Sequence, residues 1–285
     1  MPAVDHYLTW LSAMHAEAAR LRHREVEPEH MLLGLLAQGG TAAAVLAARG
    51  VTLTRARAAI KEMADTDFAR VGISLPDALR PEPISAEELT AEAGGEIPLS
   101  DTAAELIDNK GTSSHPSAQA LQALISSSTV SLQSPVVRLL AHCGVDVDCL
   151  RTKLSEVAAD KEPARGRYRM TDEYRGYGLD RELSQERFIS APVAQLAALL
   201  RDPDRLTWWA LPRQQLVEVL SDGAVQRVEG RRRTVFLRWR LETAVDTRVT
   251  WSRTVVSGRR DGEVAFVKDL HLIEAPGGTR VRLVL

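Results

Sequence analysis

With 285 residues, 45% of them hydrophobic and 26% charged, and no low-complexity block, the chain holds enough apolar material for two packed cores, which excludes a wholly disordered polymer. The formal net charge of −2 is unevenly spread: residues 1–160 carry 13 Lys and Arg against 21 Asp and Glu, while residues 161–285 carry 23 against 17. An acidic front on a basic back implies two bodies with different surfaces. No run approaches the ~20 apolar residues that span a bilayer. Residues Met1 to Trp10, with Asp5 and His6, lack the basic-then-apolar form of a signal peptide. A cytoplasmic protein with no membrane partner is expected. The two cysteines, Cys143 and Cys149, match no metal-ligand or redox spacing and read as small buried hydrophobes.

Taken in chain order, Leu8, Leu11, Met14, Ala18 and Leu21 recur at steps of three and four, which predicts an amphipathic helix over 5–21. A second helix opens at Pro28, where a missing N–H costs nothing, and carries Glu29 where the helix dipole favours a negative charge. Gly39-Gly40 stop it, and Thr41 is placed to cap a third helix, Ala42 to Ala48. After Gly50, Thr52 or Thr54 caps a fourth that runs to Met63. Asp65 to Glu96, with three prolines and Gly94-Gly95, reads as a connector.

The four-helix pattern then recurs. Ser100 caps a short helix Asp101 to Asp108 that ends near Asn109-Lys110-Gly111; Ser117 caps a helix with Ala120, Leu121, Leu124 and Ile125; Pro135 opens Val136 to Cys143; Val147 to Val157 closes the unit. The closest internal match sets Val45 to Leu53 against Leu139 to Val147, the signature of a duplicated supersecondary unit.

Glu29-His30-Met31-Leu32-Leu33-Gly34-Leu35-Leu36, the spacing to Val45-Leu46, and Gly50-Val51 resemble the first repeat of the Clp unfoldase N-terminal domain, closest to the ClpC type. Ile97-Pro98-Leu99-Ser100 and Gly144-Val145-Asp146 resemble parts of its second repeat, so the likeness covers roughly residues 5–158. It implies partners among the Clp machinery, its substrates or adaptors, or peptide ligands of Clp N-domains. It also implies a phosphoarginine pocket built on a glutamate of this motif in each repeat, which points to Glu29, with His30 beside it, as candidate peptide-binding residues. In the second repeat the matching positions are Ala118 and Gln119, so one of the two carboxylates is missing. A dipole-stabilised carboxylate for Glu29 and a packing role for His30 are the competing structural readings.

Beyond Glu162 the composition changes. Pro163 to Leu183 is rich in Arg, Tyr and Gly and reads as a linker, after which strands are expected at 184–190, 225–229, 234–242, 248–256, 263–273 and 279–285, with a helix at Val193 to Leu200. Val235, Leu237, Trp239 and Leu241 alternate with Phe236, Arg238, Arg240 and Glu242, and glycine turns at Gly230, Gly258, Gly262 and Gly277-Gly278 join successive strands into an antiparallel meander. Phe188-Ile189-Ser190-Ala191-Pro192-Val193, Leu199-Leu200-Arg201-Asp202-Pro203 and Trp208-Trp209 resemble the SRPBCC or START-like helix-grip family. That resemblance implies a cavity for a small apolar ligand, although the long C-terminal helix usual in the family is not found before Leu285. The expected fold is thus multidomain: an all-α double four-helix repeat (1–160), a linker (161–182) and an α+β antiparallel-sheet domain (183–285).

Chemistry is harder to find. Gly-x-x-x-x-Gly-Lys-Ser/Thr, His-Glu-x-x-His, Cys-x-x-Cys and Gly-x-Ser-x-Gly occur nowhere in the sequence, and no set of titratable residues converges. No enzyme, cofactor or metal is expected. Neighbours on a helix point about 100° apart, so Glu29 and His30 are not a natural acid–base pair. Trp208, Trp209, Trp239, Trp251 and His271 are candidates for lining a ligand cavity, aromatic core being the plainer reading. Arg231-Arg232-Arg233 with Arg238, Arg240, Arg248 and Arg253 forms a basic run, but no recognition-helix motif accompanies it and nucleic acid is not an expected partner. A non-enzymatic interaction protein is the leading expectation. A small-molecule sensor comes second, and a cyclase- or hydrolase-type enzyme third.

Overall fold

The periodic apolar steps of the first half and the alternation of the second both find their elements in the computed structural model, which describes residues 2–74, 76, 82–93, 95–108, 116–126, 134–159, 167–168, 174, 176–179, 182–230, 234–256 and 258–285. Two units form: Met1–Glu162 with Phe188–Ser190, and Pro163–Arg187 with Ala191–Leu285.

The first unit is helical. Helix α1 (Pro2–Arg20) buries Trp10, Met14, Glu17 and Ala18, while Leu11 and Leu21 are half-buried and Leu8 is exposed, so the inward stripe keeps Met14 and Ala18 of the expected one and is shifted toward Trp10 and Glu17. The reason is specific. The Trp10 indole donates to the Met31 carbonyl at 3.0 Å, and Glu17 accepts from Arg57 Nε at 3.0 Å, so two amphipathic side chains set the rotation. Helix α2 (Pro28–Gln38) is buried along almost its whole length. Gly34 lets α1 approach it, since an added Cβ would stand 3.0 Å from the Met14 backbone nitrogen.

Helix α3 (Gly40–Ala47) begins at Gly39, whose φ of 81° only glycine adopts readily; Thr41 lies inside the helix and is not its cap. Thr52 does cap α4 (Leu53–Arg70), accepting from Arg55 N at 3.1 Å. That helix continues past Met63 because no Gly or Pro interrupts it before Gly72. The expected connector therefore holds helical residues at its start, and a further helix, α5 (Ala86–Ala93). Ser85 and Glu88 close α5 with a reciprocal capping box, at 3.1 and 2.7 Å.

Helices α6 (Asp101–Asp108), α7 (Pro116–Ser126), α8 (Pro135–His142) and α9 (Val147–Ala159) repeat the order of α1 to α4. Ser100 caps α6, whereas Ser117 lies inside α7, buried, its Oγ accepting from Ala42 N at 3.3 Å. Leu121, Leu124 and Ile125 are buried as Leu32, Leu35 and Leu36 are, and α2 packs on both α7 and α8. Val26 pairs in parallel with Leu99, tying the entry of α2 to that of α6. The expected end of α6 near Asn109-Lys110-Gly111 lies outside the described residues. Cys143, at the C-cap of α8, is half-buried and Cys149, in the first turn of α9, is exposed, against the expectation of interior thiols.

In the second unit an eight-stranded sheet runs in the order β1-β2-β8-β7-β6-β5-β4-β3. Its strands are β1 (Arg167–Tyr168), β2 (Glu182–Ile189), β3 (Leu216–Leu220), β4 (Gly223–Glu229), β5 (Thr234–Val245), β6 (Arg248–Val255), β7 (Val264–Ala275) and β8 (Gly278–Val284). Strands β3 to β8 form an antiparallel meander, and helix α10 (Val193–Arg201) packs across β5, β6, β7 and β8. This is the strand, helix and meander order of a helix-grip domain. Strand β3 had no signal in the sequence because most of its residues face solvent. The expected linker is partly structured: β1 pairs with β2, and Tyr174 is buried against Val267 and Val284.

Gly223 opens β4 opposite Arg240, and a Cβ there would stand 1.9 Å from the Trp239 carbonyl oxygen. Gly223→Ala is expected to destabilise the second unit by more than about 3 kcal/mol, since the clash is with backbone that cannot rotate away. Chemical denaturation followed by tryptophan fluorescence checks this.

Candidate functional site

Helix α2 begins with Glu27 extended at the N-cap and Pro28 in the first turn. His30 then folds back, and its Nδ1 accepts the Glu27 N–H at 2.8 Å, taking the part that Glu or Gln plays in a capping box. An accepting Nδ1 puts the neutral ring's proton on Nε2. That Nε2 is buried and has no partner, and neither has Glu29 Oε2. His23 meets His30 edge-on, with ring centroids 4.8 Å apart. Burial first, then the adjacent His23, push the His30 pKa down to about 3, so His30 is neutral at physiological pH. Burial likewise raises Glu29 above its ordinary range, Glu27 adding to the effect against its own backbone hydrogen bond, and burial lowers His23 against the pull of Glu27.

The ligating atoms of His23, Glu29 and His30 lie within 4.8 Å of one another, which is metal-ligand chemistry that the sequence reading did not anticipate. The tautomer argues against it: Nε2 presents a hydrogen, and a lone pair there would set Nδ1–H against the Glu27 N–H. What the α2 start offers is one buried N–H donor and one carboxylate acceptor side by side, complementary to a ligand that itself both donates and accepts. In the second repeat Ala118 is buried at the matching place and offers neither.

Elsewhere in this unit a cavity of about 330 Å³ opens between α4 and α8, beside Met63, Asp67, Arg70, Val137, Arg138 and His142. Its charges are engaged: Asp67 pairs with Arg138 at 2.8 Å and Arg70 at 3.0 Å, and His142 with Glu62 at 2.7 Å.

In the second unit the sheet has two faces. The α10 face carries Trp239, Trp251, Arg253, Phe266 and Lys268, paired across strands as Trp239 with Arg253, Arg253 with Phe266 and Trp251 with Lys268. The Trp251 indole donates to Leu200 of α10 at 2.9 Å, and Trp209 stands edge-on to it at 6.4 Å. Trp209, Trp239 and Trp251 thus share this face. Trp208 does not join them; it is 70% exposed, with Arg205 over its ring.

His271 is also displaced from the expected face. The register pairs it with Arg248, one residue out of phase with Trp251 and Lys268, so the pleat turns it to the opposite side, 3.1 Å from Asp269. Asp269 is fully buried there and accepts from Arg248 Nε at 3.0 Å, Thr250 at 2.8 Å and Tyr174. Of the basic run, Arg231-Arg232-Arg233 lies outside the described residues, while Arg238 and Arg240 pair with Asp222.

Among the residues that sequence reasoning passed over, Lys268 and Arg253 had a signal. Phe266, Lys268, Leu270 and Leu272 alternate on one face, as do Trp251, Arg253 and Val255, so each cation interrupts an apolar stripe. Asp269 and Tyr174 had none, being 95 residues apart in the chain.

Comparison with known proteins bears on both units. Residues 8–75 match the model of the Clp repeat (R) N-terminal domain. The Clp repeat match covers α1 to α4, including Glu29 and His30. No curated protein matches the chain. Solved structures resembling the carboxy-terminal part include the Mll3558 protein from Rhizobium loti, at 17% identity over 36% of this chain and 75% of that one, TM-score 0.30. Others are DR_A0006 from Deinococcus radiodurans, at 23% over 36% and 80%, TM-score 0.28, and the Aha1 dimer from Colwellia psychrerythraea, at 13% over 36% and 73%, TM-score 0.26. At TM-scores of this size the helix-grip arrangement rests on the chain's own strand order and helix. No single described helix is long and apolar enough to cross a membrane; α2 and α3 together are apolar but bend by 96° at their break.

Proposed function

We propose that the chain is a non-enzymatic protein-interaction module of the Clp proteostasis system. It acts in the cytoplasm as an adaptor, decoy or competitor for the degrons or Clp-targeting peptides that a ClpC-type N-domain binds. The observation that supports this most is the start of α2, inside the Clp-like region, where Glu29 Oε2 and the His30 Nε2–H are buried with no partner of their own. Burying polar atoms unpaired costs stability, and such a cost is tolerated where a ligand completes the bonds. An arginine side chain suits the carboxylate by bidentate hydrogen bonding, and a phosphoryl group on it would accept from His30.

Isothermal titration of the full chain with an arginine-containing peptide, unmodified and arginine-phosphorylated, tests the proposal. Binding is expected, and Glu29→Ala should weaken it about 10-fold or more, as loss of a charge-assisted pair does. In a degradation assay, excess full chain should slow a Clp motor acting on the same peptide fused to a substrate. Absence of binding with either peptide, together with no competition, overturns the reading.

A second reading, a small-ligand binder acting through the helix-grip unit, is favoured by one specific feature, the aromatic face of Trp209, Trp239 and Trp251 under α10.

A further inference from the structure

On that aromatic face, Arg253 and Lys268 stand together without an acid. The Arg253 guanidinium lies over Trp239 at 5.6 Å and Phe266 at 5.0 Å, while Lys268 Nζ lies over Trp209 at 5.4 Å and the same Trp239 at 5.6 Å. Both cations are half-buried, and among the described residues neither has an ion pair or hydrogen bond. Three acids of this sheet and its turns are occupied elsewhere. Asp222 holds Arg238, Glu242 accepts from Ser252 at 2.5 Å, and Asp269 holds Arg248. Arg253 Nε and Trp209 Nε1 are buried donors with no acceptor.

Two desolvated like charges side by side repel, and ring faces repay only part of the cost of burying them. Burial lowers the pKa of Arg253, and burial and then the Arg253 charge lower that of Lys268. A purely structural face would be expected to hold an acid at this place or apolar side chains instead of the cations. A bound anion would answer the two charges and the orphaned donors together.

We infer that the α10-facing side of the sheet binds a small organic carboxylate with a flat apolar body, its carboxylate held between Arg253 and Lys268 and its body against the half-buried rings of Trp209 and Phe266, beside the fully buried Trp239 and Trp251. This inference rests on the ligand-binding reading of the second unit and adds the charge and shape of the ligand. Arg253 supplies two forked donors suited to a carboxylate, and Lys268 a point charge on the same anion.

The test uses the full chain and two probes of equal shape, naphthalene-2-carboxylate and its neutral amide, followed by tryptophan fluorescence quenching. The carboxylate is expected to bind, and the amide at least about 10-fold more weakly, the effect of exchanging a charge-assisted hydrogen bond for a neutral one. Arg253→Gln and Lys268→Met should each weaken the carboxylate about 10-fold and leave the amide unchanged. Lys268→Met should also keep or raise the melting temperature, because the charge it removes is desolvated and faces a like charge; this variant stays informative if Arg253→Gln fails to fold. Equal binding of both probes, insensitive to either substitution, overturns the anion site and leaves the ligand-binding reading standing. Failure of both probes to bind removes both.

Discussion

At pH 5 a His30→Gln variant should be more stable than the wild-type chain by about 2 kcal/mol, and at pH 7.5 no more stable. The folded-state pKa of His30 is lowered from 6.5 to about 3, so between those values the unfolded chain binds a proton that the folded chain refuses. Stability that is whole above pH 6.5 is therefore lost as pH falls through that window. At pH 5 the loss is about 1.5 pKa units of proton affinity at 1.36 kcal/mol each. Gln is chosen because its side-chain oxygen can accept the Glu27 N–H from the same position, keeping the helix start intact. Thermal melts of both proteins from pH 4.5 to 7.5 measure the difference, about 4–8 °C at pH 5 for a unit of this size. If the two profiles are parallel, His30 is not held as a buried neutral acceptor.

Asp269→Ala should cost the second unit about 3–5 kcal/mol, because it strips the partner from a charge and from buried donors at once. Arg248 reaches both carboxylate oxygens, at 3.0 and 3.1 Å from Nε and 2.7 Å from Nη2, while Thr250 and Tyr174 complete the shell. Burial alone would raise the Asp269 pKa. The hydrogen bonds from Arg248, Tyr174 and Thr250, with the nearby His271, outweigh it and hold the group below its ordinary range. The network's stability is therefore present above the unfolded value of about 3.8 and is lost only as pH falls through the lower folded value. Denaturant unfolding of Asp269→Ala, Arg248→Met and the double variant decides the matter. The double variant should recover part of the single loss, since removing both partners leaves no orphaned charge. Strict additivity would mean the two groups do not act as a pair.

Much of this molecule can be read from spacing. Pro28, Gly39, Thr52, Ser100 and Pro135 mark helix ends by local chemistry, and each mark is realised at or within a residue of its place. Ser117 and Thr41 carry the same side-chain chemistry and do not cap, because the helix begins upstream of each and a neighbouring backbone decides what the hydroxyl meets. The Ser85-x-x-Glu88 box was legible and passed over among prolines.

For the candidate sites the division is similar. Glu29 and His30 stand out by motif, but that His30 spends its Nδ1 on Glu27 and leaves Nε2 a buried donor is decided by the turn into α2. Trp239 and Trp251 follow from alternation. His271 does not, because only the pairing register shows which side of the pleat faces α10.

By itself the sequence determined what depends on neighbours within a few residues: where helices start and stop, which strands alternate, and that the two halves differ in kind. Only the tertiary structure decided which polar groups are answered and which are left open. Whether Asp269 finds Tyr174, or Arg253 and Lys268 find no acid, depends on residues distant in the chain brought within a few ångströms, and partnership at that range is a property of packing.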